Sequence, residues 1–175
     1  MVYLVIMLKK YLFLACGIIL GITVQSFGQT AEEFEANYAK RIKEEILNGV
    51  YIPVDLEDAY AELTRLADPS GLVAFKSSPE DSIRRKLHFG FGRWIMNNWG
   101  LEEGSRISHY MKLKGVPIAD DMVRVIIVTW HRRLNGKPLK LEEEITIITK
   151  RMAEEKAKRE ADRKVIIVEK RPHKE

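Results

Sequence analysis

The segment DDMVRVIIVTWHRRLNG, residues 120–136, constrains the fold more than any other part of the chain. At about 100° per residue, Met122, Val125, Ile126, Val128, Thr129 and Trp130 occupy most of a helix circumference. A helix that is apolar nearly all round needs neighbours on every side, so this one belongs at the centre of the fold. Ala119 or Asp120 starts it and Asn135-Gly136 ends it.

The rest of the chain supplies helices to surround it. AEEFEANYAKRIKEEILNG places Phe34, Tyr38, Ile42 and Ile46 on one helical face, with Asn48-Gly49 as its stop. VYIPV, residues 50–54, reads as an extended connector fixed by Pro53. Asp55 is a good N-cap for a helix that turns Leu56, Ala59, Tyr60, Leu63 and Leu66 inward, and Asp68-Pro69-Ser70-Gly71 breaks it. Ser78-Pro79-Glu80-Asp81 restarts a helix that runs into HFGFGRWIMNNWGL, residues 88–101. Gly104-Ser105 opens another, RISHYMKLKG, ended by Gly115. Strands do not alternate with helices and no repeat is present. The expectation is an all-α fold, a single compact domain of about five helices over residues 29–138.

From residue 139 the character changes. Leu141, Ile145, Ile148 and Met152 form one stripe, followed only by charge and alanine. That predicts a charged, solvated helical extension over 139–175, held by i,i+4 pairs, rather than a long coiled coil. KVIIVEKRP, residues 164–172, suits either a strand or a segment docked on the core.

The first 28 residues read as a secretory signal peptide. Lys9-Lys10 precedes an apolar run over residues 11–24, and Ser26 and Gly28 stand at −3 and −1 of a cut before Gln29. The run is short for a membrane span, which needs about 20 residues. Apolar residues ahead of the lysines favour a true start at Met7 over Met1; an uncleaved anchor is the rival reading. Cys16, the one cysteine, follows a poor lipobox, so the mature chain would hold no thiol and no disulfide. Removing Lys9 and Lys10 lowers Lys+Arg from 29 to 27 against 25 Asp+Glu, a net charge of +2. That balance excludes a concentrated nucleic-acid-binding face. The mature form is expected to be periplasmic or extracellular, with no stable membrane span.

Gly90 and Gly92 need a reason, because glycine in a helix costs about 1 kcal/mol against alanine. A dinucleotide fingerprint needs a preceding strand and a third glycine, and a P-loop needs a lysine followed by serine or threonine; neither is here. Close approach of a neighbouring helix or of a bulky aromatic is the expected reason. Asn97-Asn98-Trp99-Gly100 reads as a helix end. His88, His109 and His131 make no metal-spaced pair, so neither metal nor other cofactor is expected. The catalytic candidates are His88 or His131 as base with Asp120 or Asp121 as its orienter.

Four elements together, YIPVDLEDAYAEL, HFGFGRWIMNNWGL, GSRISHY, and DDM with HRRLNGK, resemble one bacterial domain of unknown function whose members are small and often exported. The resemblance spans about residues 48–137. It implies a shared helical fold and a shared polar set: His88, Arg93, Asn97, Asn98, Trp99, Ser105, Arg106, Asp120, Asp121 and His131. It also implies an arginine before the paired asparagines, where this chain has Met96, so Arg93 would have to replace it. No activity comes with the resemblance. The expected function is a non-enzymatic module that binds a protein or a small polar ligand through Arg93, Asn97, Asn98, Trp99, Ser105, Arg106 and Asp120. A hydrolase and an envelope structural protein are the alternatives.

Overall fold

The computed structural model describes residues 30–86 and 88–169, and of residues 86, 88, 89 and 164–169 the backbone alone. The expected signal peptide and Cys16 lie outside the described residues. The chain divides into two compact units, Met1–Phe34 and Glu35–Glu175. In the first, Thr30 and Glu33 cap the start of a helix reciprocally: each backbone N–H donates to the other's side chain, at 2.9 and 3.1 Å.

Helix α1 spans Ala31–Arg41. A hairpin of β1, Ile46–Leu47, and β2, Val50–Tyr51, follows, then α2, Leu56–Leu66, α3, Pro69–Ser77, and α4, Glu80–Lys86. A π-helical turn, His88–Gly92, leads into α5, Arg93–Asn98. The remaining helices are α6, Arg106–Leu113, α7, Ala119–Leu134, and α8, Leu141–Glu169. The architecture is helical as expected, and α7 takes the centre: every residue from Asp121 to Arg132 except Arg124 is buried.

The hairpin departs from the expected long first helix. A helix through Ile46 would turn that residue inward, yet Ile46 is 61% exposed and Leu47 only 6%. Asn48 and Gly49 both adopt left-handed φ, 51° and 79°, the geometry of a two-residue type I′ turn. Asn-Gly is thus a hairpin turn here, pairing Leu47 with Val50 and Ile46 with Tyr51. Similarly, Asp68-Pro69-Ser70-Gly71 ends α2 and also begins α3. The Asp68 carboxylate accepts from the N–H groups of Ser70 and Gly71, both at 3.0 Å, and Pro69 occupies the first turn.

Close packing does not involve Gly90, one of the two glycines expected to carry it. Among the described residues, an added Cβ at Gly90 would meet nothing within 4 Å, and the wider π turn replaces a continuous helix there. Gly100 and Gly104, both at positive φ, carry the tight contacts instead. A Cβ at Gly100 would lie 2.5 Å from a terminal nitrogen of Arg41, and one at Gly104 would overlap the Tyr38 ring. Arg41 Nε donates to the Gly104 carbonyl at 2.8 Å, and the Tyr38 hydroxyl lies 3.0 Å from His109 Nδ1. These contacts hold Tyr38 and Arg41 against the 100–104 turn and His109.

The charged extension starts inside the core. Ile148 is 1% exposed, and Leu139, Leu141, Ile145 and Met152 pack beside it. The compositional boundary after residue 138 is therefore not a packing boundary. From Ala153 to Arg163 every residue is exposed, and the helix continues through positions 165–168 without forming a strand.

Candidate functional site

The first turn of α7 forms one wall of a polar cleft of about 290 Å³. Asp120 and Asp121 stand at its helix end, where carboxylates complement the dipole. Arg124 follows one turn later, Arg84 reaches in from α4, and Arg151 from α8. Ile83, Val123, Ile127 and Val128 supply the apolar lining.

The cations of this cleft are unequally engaged. Arg151 forms an ion pair with Asp121, which is 4% exposed. Arg84 is shared between two acids: Nη1 donates to Glu144 Oε2 at 2.9 Å and Nη2 to Glu80 Oε1 at 2.8 Å. Arg132, behind the cleft, donates to Glu80 through Nε at 3.0 Å and Nη2 at 2.6 Å, and through Nη1 to the Leu139 carbonyl at 2.8 Å. Hydrogen bonds from Arg132 hold the Glu80 carboxyl down at about 2, and Arg84 holds the buried Glu144 carboxyl below the usual carboxylate range. Arg124 is different. Its nearest acid is Glu144, 3.9 Å from Nη2, and its buried Nε has no hydrogen-bond partner among the described residues. With 35% of its side chain exposed at the cleft, it keeps donors to offer.

Asp120 and Asp121 are the residues of the expected polar set that reach this cleft. His131, ten residues beyond Asp121 on one helix, lies about 15 Å further along it. It is 2% exposed, edge-on to Phe75 at 5.4 Å, with Nε2 3.3 Å from Asn135 Nδ2. A dyad of His131 with Asp121 or Asp120 does not form. His88 stands in the π turn, and its side chain is outside the described residues.

Arg93 and Asn97 are exposed. Asn98 donates to the Trp94 carbonyl at 2.9 Å, and Trp99 is fully buried, edge-on to Trp94. Gly100 closes α5 as a Schellman end, with Leu101 N–H donating to the Met96 carbonyl at 3.0 Å. Ser105 and Ser108, both buried, form a capping box for α6. Arg106 Nε donates to the Ile52 carbonyl at 3.0 Å, and its guanidinium lies over the Tyr51 ring. Asn98, Trp99, Ser105 and Arg106 thus hold loops and helix ends in place.

The residues that sequence reasoning missed are Glu80, Arg84, Arg124, Glu144 and Arg151. The Glu80–Arg84 pair at i,i+4 was visible, as was Arg124 on an otherwise apolar helix. Nothing in the sequence said that Glu144 faces the core or that Arg151 reaches the cleft.

A second concavity, about 250 Å³, is lined by Leu72, Phe75, Phe91 and Trp130, with Ala67, Asp68 and Gly71 at its edge. Phe75 stacks on Trp130 with centroids 4.4 Å apart. No group of three or more His, Cys, Asp or Glu able to hold a metal is found among the described residues, and none of their helices is long and apolar enough to cross a membrane.

No curated protein and no solved structure is significantly similar to the chain. Residues 52–134, from the end of the hairpin through α7, match the family described as a domain of unknown function (DUF6794), a stretch that contains every wall of the cleft except Arg151.

Proposed function

We propose that the protein is an exported, non-enzymatic binding module that takes a small anionic ligand in the cleft between α4, α7 and α8. The carrying observation is Arg124, whose buried Nε lacks a partner among the described residues while its side chain lines the cleft. A buried N–H left unsatisfied costs about 1–3 kcal/mol, which a ligand oxygen would recover. Guanidinium groups hold carboxylate or phosphate oxygens through paired, charge-assisted hydrogen bonds.

The hydrolase alternative finds no support in His131, which is buried and about 15 Å along α7 from Asp121. A protein-partner version rests on the aromatic concavity at Trp130, which has room for an apolar side chain.

Calorimetric titration of the full chain with inorganic phosphate, succinate and glutamate tests the cleft. Heat of binding that disappears in Arg124→Ala and survives in Arg85→Ala, an exposed control, is expected. Silence with all three probes, or equal binding by the two variants, would remove the reading. Export is tested separately by N-terminal sequencing of the secreted form, which should begin near Gln29.

A further inference from the structure

An ion-paired cluster at the cleft between α4, α7 and α8 carries a surplus of one positive charge. Three arginines, Arg84, Arg124 and Arg132, share two acids, Glu80 and Glu144, so three cations stand against two anions. Arginine hydrogen bonds hold both carboxyls below the usual carboxylate range, so the surplus persists at neutral pH. Elsewhere in the cleft Asp121 is matched by Arg151, and Asp120 is exposed at the rim.

Donors are distributed as unevenly as charge. Arg84 commits both terminal nitrogens to Glu80 and Glu144, and Arg132 commits all three of its nitrogens to Glu80 and the Leu139 carbonyl. Arg124 holds the surplus: its nearest acid oxygen is 3.9 Å away, and its Nε has no hydrogen-bond partner among the described residues. Beside it the cleft is aliphatic. Ile127 and Val128 lie one turn beyond Arg124 on its own side of α7, and Ile83 joins them from α4.

We infer, on the footing of the anion-binding role proposed above, that the cleft selects a small aliphatic monocarboxylate over dianions. One carboxylate on Arg124 neutralises the surplus, and its two oxygens match the guanidinium fork. A second anionic group finds Arg84 and Arg151 already paired and meets the carboxylate of Asp121. A short hydrocarbon body instead covers Ile83, Ile127 and Val128, each buried methylene being worth about fourfold in affinity. A volume of about 290 Å³ is at the lower end for ligand pockets and suits a body of a few carbons.

The test titrates the full chain with butyrate, succinate, acetate and butyramide, followed by arginine Nε–H signals in proton–nitrogen correlation spectra. The signal absent from Arg124→Lys, which keeps the charge, identifies Arg124. Succinate is butyrate with its methyl group exchanged for a second carboxylate, and butyramide is butyrate without the charge. Butyrate is expected to move the Arg124 signal and to bind about tenfold more tightly than succinate or acetate, while butyramide leaves the signal in place. Succinate or acetate binding as tightly as butyrate would overturn the selectivity and leave the anion-binding role intact. No movement of the Arg124 signal with any of the three anions would overturn both.

Discussion

The Glu144 carboxylate, 3% exposed, accepts from both terminal nitrogens of Arg84, a residue 60 positions earlier in the chain. Arg132 lies 3.1 Å from the same carboxylate, so α4, α7 and α8 are joined at one buried acid. The joint ties α8 to α4 and α7, and Arg151 two turns further along α8 pairs with Asp121.

Removing that acid leaves Arg84 and Arg132 with Glu80 as their shared counter-charge. Glu144→Ala should destabilise the protein by about 2–3 kcal/mol, less than the cost of leaving a buried charge wholly unpaired. Urea unfolding followed by tryptophan fluorescence measures it. Glu143→Ala, an exposed neighbour paired with Lys140, should cost less than about 1 kcal/mol.

Acid should weaken the same joint through Glu80. Its carboxyl titrates at about 2 in the folded chain and near the ordinary glutamate value when unfolded, so the folded state favours the ionised form. The resulting stability is fully present above the unfolded value, and it fades as pH falls from about 5 toward 2. It is worth on the order of 2 kcal/mol after allowance for solvent screening. Thermal unfolding across that range should show a shallower loss of stability in Glu80→Gln than in the parent.

Glycine substitutions should separate packing from propensity. Gly104→Ala places a Cβ against the Tyr38 ring at a φ of +100°, so a loss of about 1–3 kcal/mol is expected. Gly90→Ala meets open space among the described residues and should stabilise by up to about 1 kcal/mol. Melting temperatures of the two variants should therefore move in opposite directions; a shared sign would contradict the packing described here.

Tyr60 gives an alkaline signature. Burial pushes its phenol up to about 12, and its hydroxyl has no hydrogen-bond partner among the described residues, while the Thr129 hydroxyl donates to the Val125 carbonyl at 2.6 Å. A raised folded value favours the neutral phenol, so this stability is complete below about 10 and declines as pH rises toward 12. Ultraviolet titration should lose its latest-ionising component in Tyr60→Phe, while the raised phenols of Tyr38, Tyr51 and Tyr110 remain. That variant should remain within about 1 kcal/mol of the parent, since the hydroxyl it removes makes no hydrogen bond among the described residues.

The helical class, the central place of α7 and the end of α5 at Gly100 were all legible from residues 119–136 and 97–100, because each depends on local periodicity or on a backbone preference of glycine. Asn48-Gly49 shows the limit of that reading. The same dipeptide stops a helix or turns a hairpin, and the burial of Leu47 in place of Ile46 decides between them. Gly90 and Gly104 make the same point: composition marks a glycine as meaningful, but only the position of Tyr38 tells which one a side chain would clash with.

The candidate site was less visible still. Sequence alone determined that Asp120 and Asp121 begin the central helix and that the chain beyond residue 139 is a charged helix with a short apolar stripe. Only the tertiary structure brought Arg84 and Arg151 to the cleft at that helix start and turned Glu144 inward. The reason is physical: periodicity records which face of a helix is apolar, whereas pairing between charges on different helices depends on contacts 30 to 60 residues apart that leave no local pattern.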